Sequence, residues 1–129
     1  MTQINLIFIN GHFYSETEID AIITLVENNY PEFTFHIWHL DTDIKDTDIK
    51  DIYVNMDQSQ YLYDKILKEI DQKYILVGDT FSSNITTQIM HLAIDKNLMI
   101  PLDLIIIKDP FKTVCRGFID RLACHIDHL

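Results

Sequence analysis

"KYILVGDTFSSNITTQIMHLAIDKN", residues 73–97, changes its hydrophobic period midway. Tyr74, Ile75, Leu76 and Val77 form a continuous apolar run of strand length, which ends at Gly78-Asp79. Ile85, Ile89 and Leu92 then recur at helical spacing and predict a helix with one buried stripe. The unit is therefore strand, turn, helix.

The same unit is legible on either side. "INLIFIN", residues 4–10, reads as a strand that leaves into an Asn10-Gly11 turn. Ser15 and Glu18 then make an S-x-x-E capping box ahead of Ile19, Ile22, Ile23 and Val26. "FTFHIWHL", residues 33–40, is rich in aromatic and β-branched residues and suits a second strand. "YLYDKILKEI", residues 61–70, carries Leu62, Ile66 and Ile70 on one helical face. "PLDLIIIKD", residues 101–109, is a fourth strand. Asp109-Pro110 then predicts the cap and first position of a last helix bearing Phe111, Val114, Cys115, Phe118 and Leu122. Four such units predict a single α/β domain over residues 1–129, with a four-stranded parallel sheet in the order 2-1-3-4 and helices on both faces. The last helix is expected to pack its apolar stripe inward or into a self-association surface.

Composition narrows the function classes. The 129 residues are 47% hydrophobic, enough to bury a core without staples, and 20 acidic against 10 basic residues give a formal charge of −10. A nucleic-acid partner is disfavoured by that charge, whereas a soluble protein, or one that engages a basic protein partner or a second copy of itself, is expected. The start of the chain has no basic region followed by a cleavage site, and no apolar run reaches the ~18 residues of a membrane span, so the expected location is the cytoplasm, with no membrane partner. Cys115 and Cys124, nine residues apart on the predicted last helix, are expected to be reduced, since about 1.5 Å per residue separates them by ~13 Å. "DTDIK" occurs at 41–45 and again at 46–50. Its aspartates read as a solvated acidic loop, because Asp46 and Ile52 occupy the positions where a calcium-binding EF-hand needs glycine and glutamate. His36 and His39 alternate across a strand, and Cys124, His125 and His128 lack a fourth ligand, so no metal site and no cofactor is expected.

In an open α/β sheet ligands bind beyond the carboxyl ends of the strands, where the connections diverge. That rule selects Gly11, His12, Phe13 and Tyr14 after strand one, and Asp79, Ser82, Ser83 and Asn84 after strand three. Gly11 permits a tight turn, and the aromatics after it suit either a planar base or packing beneath the first helix. "GDTFSSN" lacks both the dinucleotide fingerprint and the P-loop spacing, and Ser83 or Asn84 is also a candidate helix cap. The following helix carries Gln88, and no carboxylate, in its first two turns.

With "GHFYS" after strand one, Asp64 in "YLYD" on the helix before strand three, and Asp79 closing strand three, the layout resembles the nucleoside deoxyribosyltransferases and their small relatives. The resemblance implies a flavodoxin-like sheet and a pocket for a nucleoside- or nucleotide-like ligand. Aligning "SSNITTQIM" to that family's D-G-x-x-x-E-x-G segment puts Gln88 where the nucleophilic glutamate is expected, Asn84 at the first glycine and Met90 at the second. An amide is a far poorer nucleophile than a carboxylate, so the resemblance implies binding more strongly than reaction. It also implies that Gln88 points into the crevice near Tyr14 and Asp79. Two other readings stand beside this one. The first is N-glycosidic hydrolysis or deoxyribosyl transfer with Asp79 or Asp64 as the acid. The second is an acidic interaction module of the inhibitor type, such as a phage counter-defence protein.

Overall fold

The computed structural model describes residues 3–9, 14–42, 52–71, 73–79, 82–108 and 113–116. The elements in chain order are β1 (Gln3–Ile9), α1 (Glu16–Asn29), β2 (Thr34–Leu40), α2 (Ile52–Glu69), β3 (Tyr74–Asp79), α3 (Ser83–Lys96), β4 (Asp103–Lys108) and β5 (Thr113–Arg116). The first four strands are parallel in the order β2-β1-β3-β4, the flavodoxin-like α/β arrangement expected from the repeated unit.

Each strand sends alternate residues to opposite faces. Ile4, Leu6 and Phe8 of β1, Ile75 and Val77 of β3, and Ile105 and Ile107 of β4 join Ile22 and Val26 of α1. Ile7, Ile9, Leu76, Leu104 and Ile106 pack on the other face with Leu62, Tyr63 and Ile66 of α2 and Ile85, Ile89 and Ala93 of α3. Central strands buried on both sides therefore read as unbroken apolar runs. The α1 cap is the one foreseen: Ser15 Oγ accepts from the Glu18 N–H at 3.1 Å and donates to Glu18 Oε1 at 3.1 Å. Among the described residues no helix is long and apolar enough to cross a membrane.

Two expectations are corrected. Residues 113–116 do not begin a helix. They form β5, antiparallel to β4, with Ile106 opposite Cys115 and Ile107 opposite Val114. Only four residues separate β4 from β5, a hairpin-length connection. The open edge of β4 offers backbone partners to a Thr-Val-Cys run, which suits a strand better than a helix. The helical spacing of Cys115 and Cys124 lapses accordingly, while Asp109, Pro110, Phe111, Phe118, Leu122, Cys124, His125 and His128 lie outside the described residues. The second correction concerns α2, which begins at Ile52 rather than near Tyr61. Asn55 and Ser59 extend its buried stripe backwards, and polar residues at core positions conceal the helical period.

Candidate functional site

The chain runs from β1 outward to β2 and then returns past β1 to β3, so the connections diverge at the carboxyl ends of β1 and β3. Three of the candidate residues meet there. Tyr14, 7% exposed, donates its hydroxyl to the Ile9 carbonyl at 3.1 Å, with the Val77 carbonyl 3.4 Å away, and so ties the ends of the two strands together. Its ring meets Phe8 edge to face at 5.3 Å. Ser82 Oγ lies 3.5 Å from the same Ile9 carbonyl.

Asp79 and Ser82 form a reciprocal turn. Asp79 Oδ1 accepts from the Ser82 N–H at 2.9 Å and from Ser82 Oγ at 3.1 Å, while the Asp79 N–H donates back to Ser82 Oγ at 3.0 Å. The N-cap of α3 is thus Ser82, whose hydroxyl turns to Asp79 instead of the helix, and Ser83 and Asn84 lie within the first turn rather than capping it. Gly78 allows this close seating. A Cβ built there would fall 2.3 Å from Thr86 Oγ1 and 3.2 Å from Ser82 Oγ, so α3 rests almost directly on the β3 backbone.

The chemistry of the trio is unequal. The Tyr14 hydroxyl has its one proton committed to strand carbonyls, and Ser82 is occupied by Asp79, so both position rather than bind. Asp79 Oδ2 accepts no hydrogen bond from the described residues. Burial, reinforced by the negative charge of Asp79, holds the Tyr14 phenol well above its ordinary value near 10. Burial raises Tyr74 as well, with Tyr63 beside it and its hydroxyl donated to the Met99 carbonyl. A raised phenol favours the folded state fully below the unfolded value and loses that contribution as pH climbs above it. Stability should therefore fall above about pH 10 by up to ~1.4 kcal/mol per pH unit for each tyrosine. Tyr14→Phe should remove one such increment from the slope, at a cost of about 1 kcal/mol at neutral pH for the lost hydrogen bond. Urea unfolding followed between pH 7 and 11.5 measures both.

The other candidates are placed elsewhere. Gln88 does not join Tyr14 and Asp79. It lies on the flank of α3 that faces α2, with Oε1 3.1 Å from Ser59 Oγ. The physical reason is the helical phase: Ile85, Thr86, Ile89 and Ala93 take the sheet-facing positions, and Gln88 falls about 100° away from Ile89, toward α2. There it lines a groove of about 470 Å³ between the two helices, with Met56, Gln60, His91 and Leu92. Asp64 is exposed on α2 and accepts from Gln60 Nε2 at 2.9 Å. Twelve residues into a helix that starts at the carboxyl side of the sheet, it sits roughly 18 Å along the axis from that end. Gly11, His12 and Phe13, and the acidic loop from 43 to 51, lie outside the described residues.

Sequence reasoning overlooked Ser59, fully buried, whose hydroxyl donates to the Asn55 carbonyl at 2.6 Å and lies against Gln88. It also overlooked Thr86, fully buried beside Gly78. The available signal for Ser59 was its position three residues before Leu62, in phase with the apolar stripe. His36 and His39 do lie on opposite faces, His36 edge-on to Trp38 and His39 stacked on Phe8. Among the described residues no group of three or more His, Cys, Asp or Glu is placed to hold a metal ion. No protein-family model, curated protein or solved structure matches the chain.

Proposed function

We propose that the protein binds a nucleoside-like ligand at the carboxyl ends of β1 and β3, and that it does so without consuming it. The observation that supports this reading is the setting of Asp79. One carboxylate oxygen is fixed by Ser82, and the other has no partner among the described residues at the point where ligands bind in sheets of this topology. A carboxylate there accepts hydrogen bonds from sugar hydroxyls or base amino groups, and it repels phosphate, so the favoured ligand is the uncharged nucleoside rather than the nucleotide. The turn that fixes Asp79 also aligns its open oxygen before the ligand arrives, which lowers the ordering cost of binding.

Isothermal titration with purine and pyrimidine nucleosides and their 5′-monophosphates tests the proposal. Nucleosides should bind more tightly than their phosphates. Asp79→Asn should weaken nucleoside binding by about 10–100-fold, the worth of a hydrogen bond to a charged group. Chromatography of the same mixtures should show no free base. Gln88→Glu should release none either, because the residue faces Ser59 and not the strand ends. Nucleotides that bind as tightly as nucleosides would overturn the proposed ligand class. Base released by the unmodified protein would favour the glycosidic reading, with Asp79 as the acid.

A further inference from the structure

The edge strand β2 carries a second feature, independent of the strand-end site. All seven of its residues pair in continuous register with β1, from Gln3 opposite Thr34 to Ile9 opposite Leu40, with no bulge. Among the described residues it is the last strand of the sheet on that side, so the backbone groups of alternate residues point away from β1. Natural sheets blunt such edges with lysine, proline or a bulge. Thr34–Leu40 contains none of these and no formal charge at all, in a chain of net charge −10. Thr34, His36, Ile37 and His39 are exposed, and a groove of about 450 Å³ runs beside the strand on the α1 face, lined by Ile23, Phe33, Phe35 and Ile37, with Glu27 of α1 as its one charged residue.

We infer that β2 is a dimerisation edge whose occupant is β2 of a second copy, paired antiparallel about a two-fold axis at Ile37, giving a continuous sheet of ten strands. The residues of the strand are self-complementary in that register. Ile37 meets Ile37, Phe35 meets His39, and His36 meets Trp38, so aromatic side chains oppose one another on both faces. Such pairs are worth roughly 0.2–1 kcal/mol each. The flanking acids avoid one another as well, because Glu32 falls opposite Thr42 and Asp41 opposite Phe33, leaving no carboxylate directly facing another. Two copies that each carry a net charge of −10 thus have an uncharged strand along which to meet. The two-fold axis stands perpendicular to the sheet, so the two α1-side grooves adjoin and their apolar residues are covered together, with Glu27 of each copy carried on α1 rather than on the paired strands.

Seven residues at about 3.3 Å each give an edge of about 23 Å, and with the flanking helix layers an interface of roughly 500–700 Å² per copy. That is somewhat under the ~800 Å² per partner of a standard interface, so the dimer should dissociate in the micromolar range. Sedimentation equilibrium of the whole chain from 1 to 300 μM should show the mass rising from 15.2 kDa to twice that value. The emission of Trp38, the single tryptophan, should shift to the blue over the same range as its strand is covered. Ile37→Lys places two ammonium groups at the axis and should weaken association at least 100-fold, with the far-UV circular dichroism unchanged. His36→Lys, on the opposite face, should weaken it independently. Ile100→Lys, at another exposed aliphatic, should leave it intact. A native protein that stays monomeric to 300 μM, including one that pairs only with a basic partner, would overturn the inference. So would an Ile37→Lys protein that dimerises as the native one does, or dissociation caused by Ile100→Lys.

Discussion

Gly78→Ala is expected to destabilise the protein by about 2–3 kcal/mol, although it adds only one methyl group to a buried strand. The new Cβ would sit 2.3 Å from Thr86 Oγ1 and 3.2 Å from both Ile106 Cδ1 and Ser82 Oγ. Thr86 cannot turn aside cheaply. It is fully buried, and its hydroxyl donates to the Ser82 carbonyl at 2.6 Å. Relief therefore requires the first turn of α3 to move off β3, which pulls Ser82 from Asp79. Urea unfolding of Gly78→Ala, Thr86→Ala and the double variant gives the coupling directly. The double variant should lose clearly less than the two single losses together, because removing Oγ1 vacates the space the methyl needs. Additive losses would show that the strain lies elsewhere. On the proposed function, the same substitution should also weaken nucleoside binding, since it displaces the turn that orients Asp79.

Phe8→Ala should cost more still, about 3–5 kcal/mol, a large fraction of the ~5–15 kcal/mol that holds a typical domain folded. Phe8 is fully buried near the carboxyl end of β1, with its ring 5.3 Å from that of Tyr14 and 5.6 Å from that of His39. It therefore links the strand-end site to the outer strand β2, and truncation leaves a ring-sized cavity between elements that cannot all collapse into it. Phe8→Leu, which fills most of that volume, should cost less than about 1.5 kcal/mol. Equal losses for the two variants in urea would mean that ring geometry, not volume, decides the site. Losing the edge-to-face partner should also free the Tyr14 ring, so Phe8→Ala should show Tyr14 ionising at lower pH than in the unmodified protein, read from phenolate absorbance.

These two positions also show where sequence reading reaches and where it stops. The run Tyr74–Val77, the cap at Ser15 and the stripes of α1 and α3 were legible because each rests on a period or a local bond within a few residues. Repeating that unit was enough for a parallel α/β sheet in the order 2-1-3-4, since parallel neighbours need crossover helices. Tyr14, Asp79 and Ser82 could be selected as neighbours, because the ends of two adjacent parallel strands must lie side by side. Their unequal roles could not, because these depend on which carbonyl takes the Tyr14 proton and which serine atom takes the Asp79 oxygen. Only the tertiary structure decided that residues 113–116 pair with β4 instead of starting a helix, since a short Thr-Val-Cys run serves either until an open edge is beside it. The direction of Gln88 was decided in the same way. Thr86 and Ile89 had to occupy the sheet-facing side of α3, and their phase turned Gln88 to Ser59 on a helix nearly thirty residues earlier in the chain.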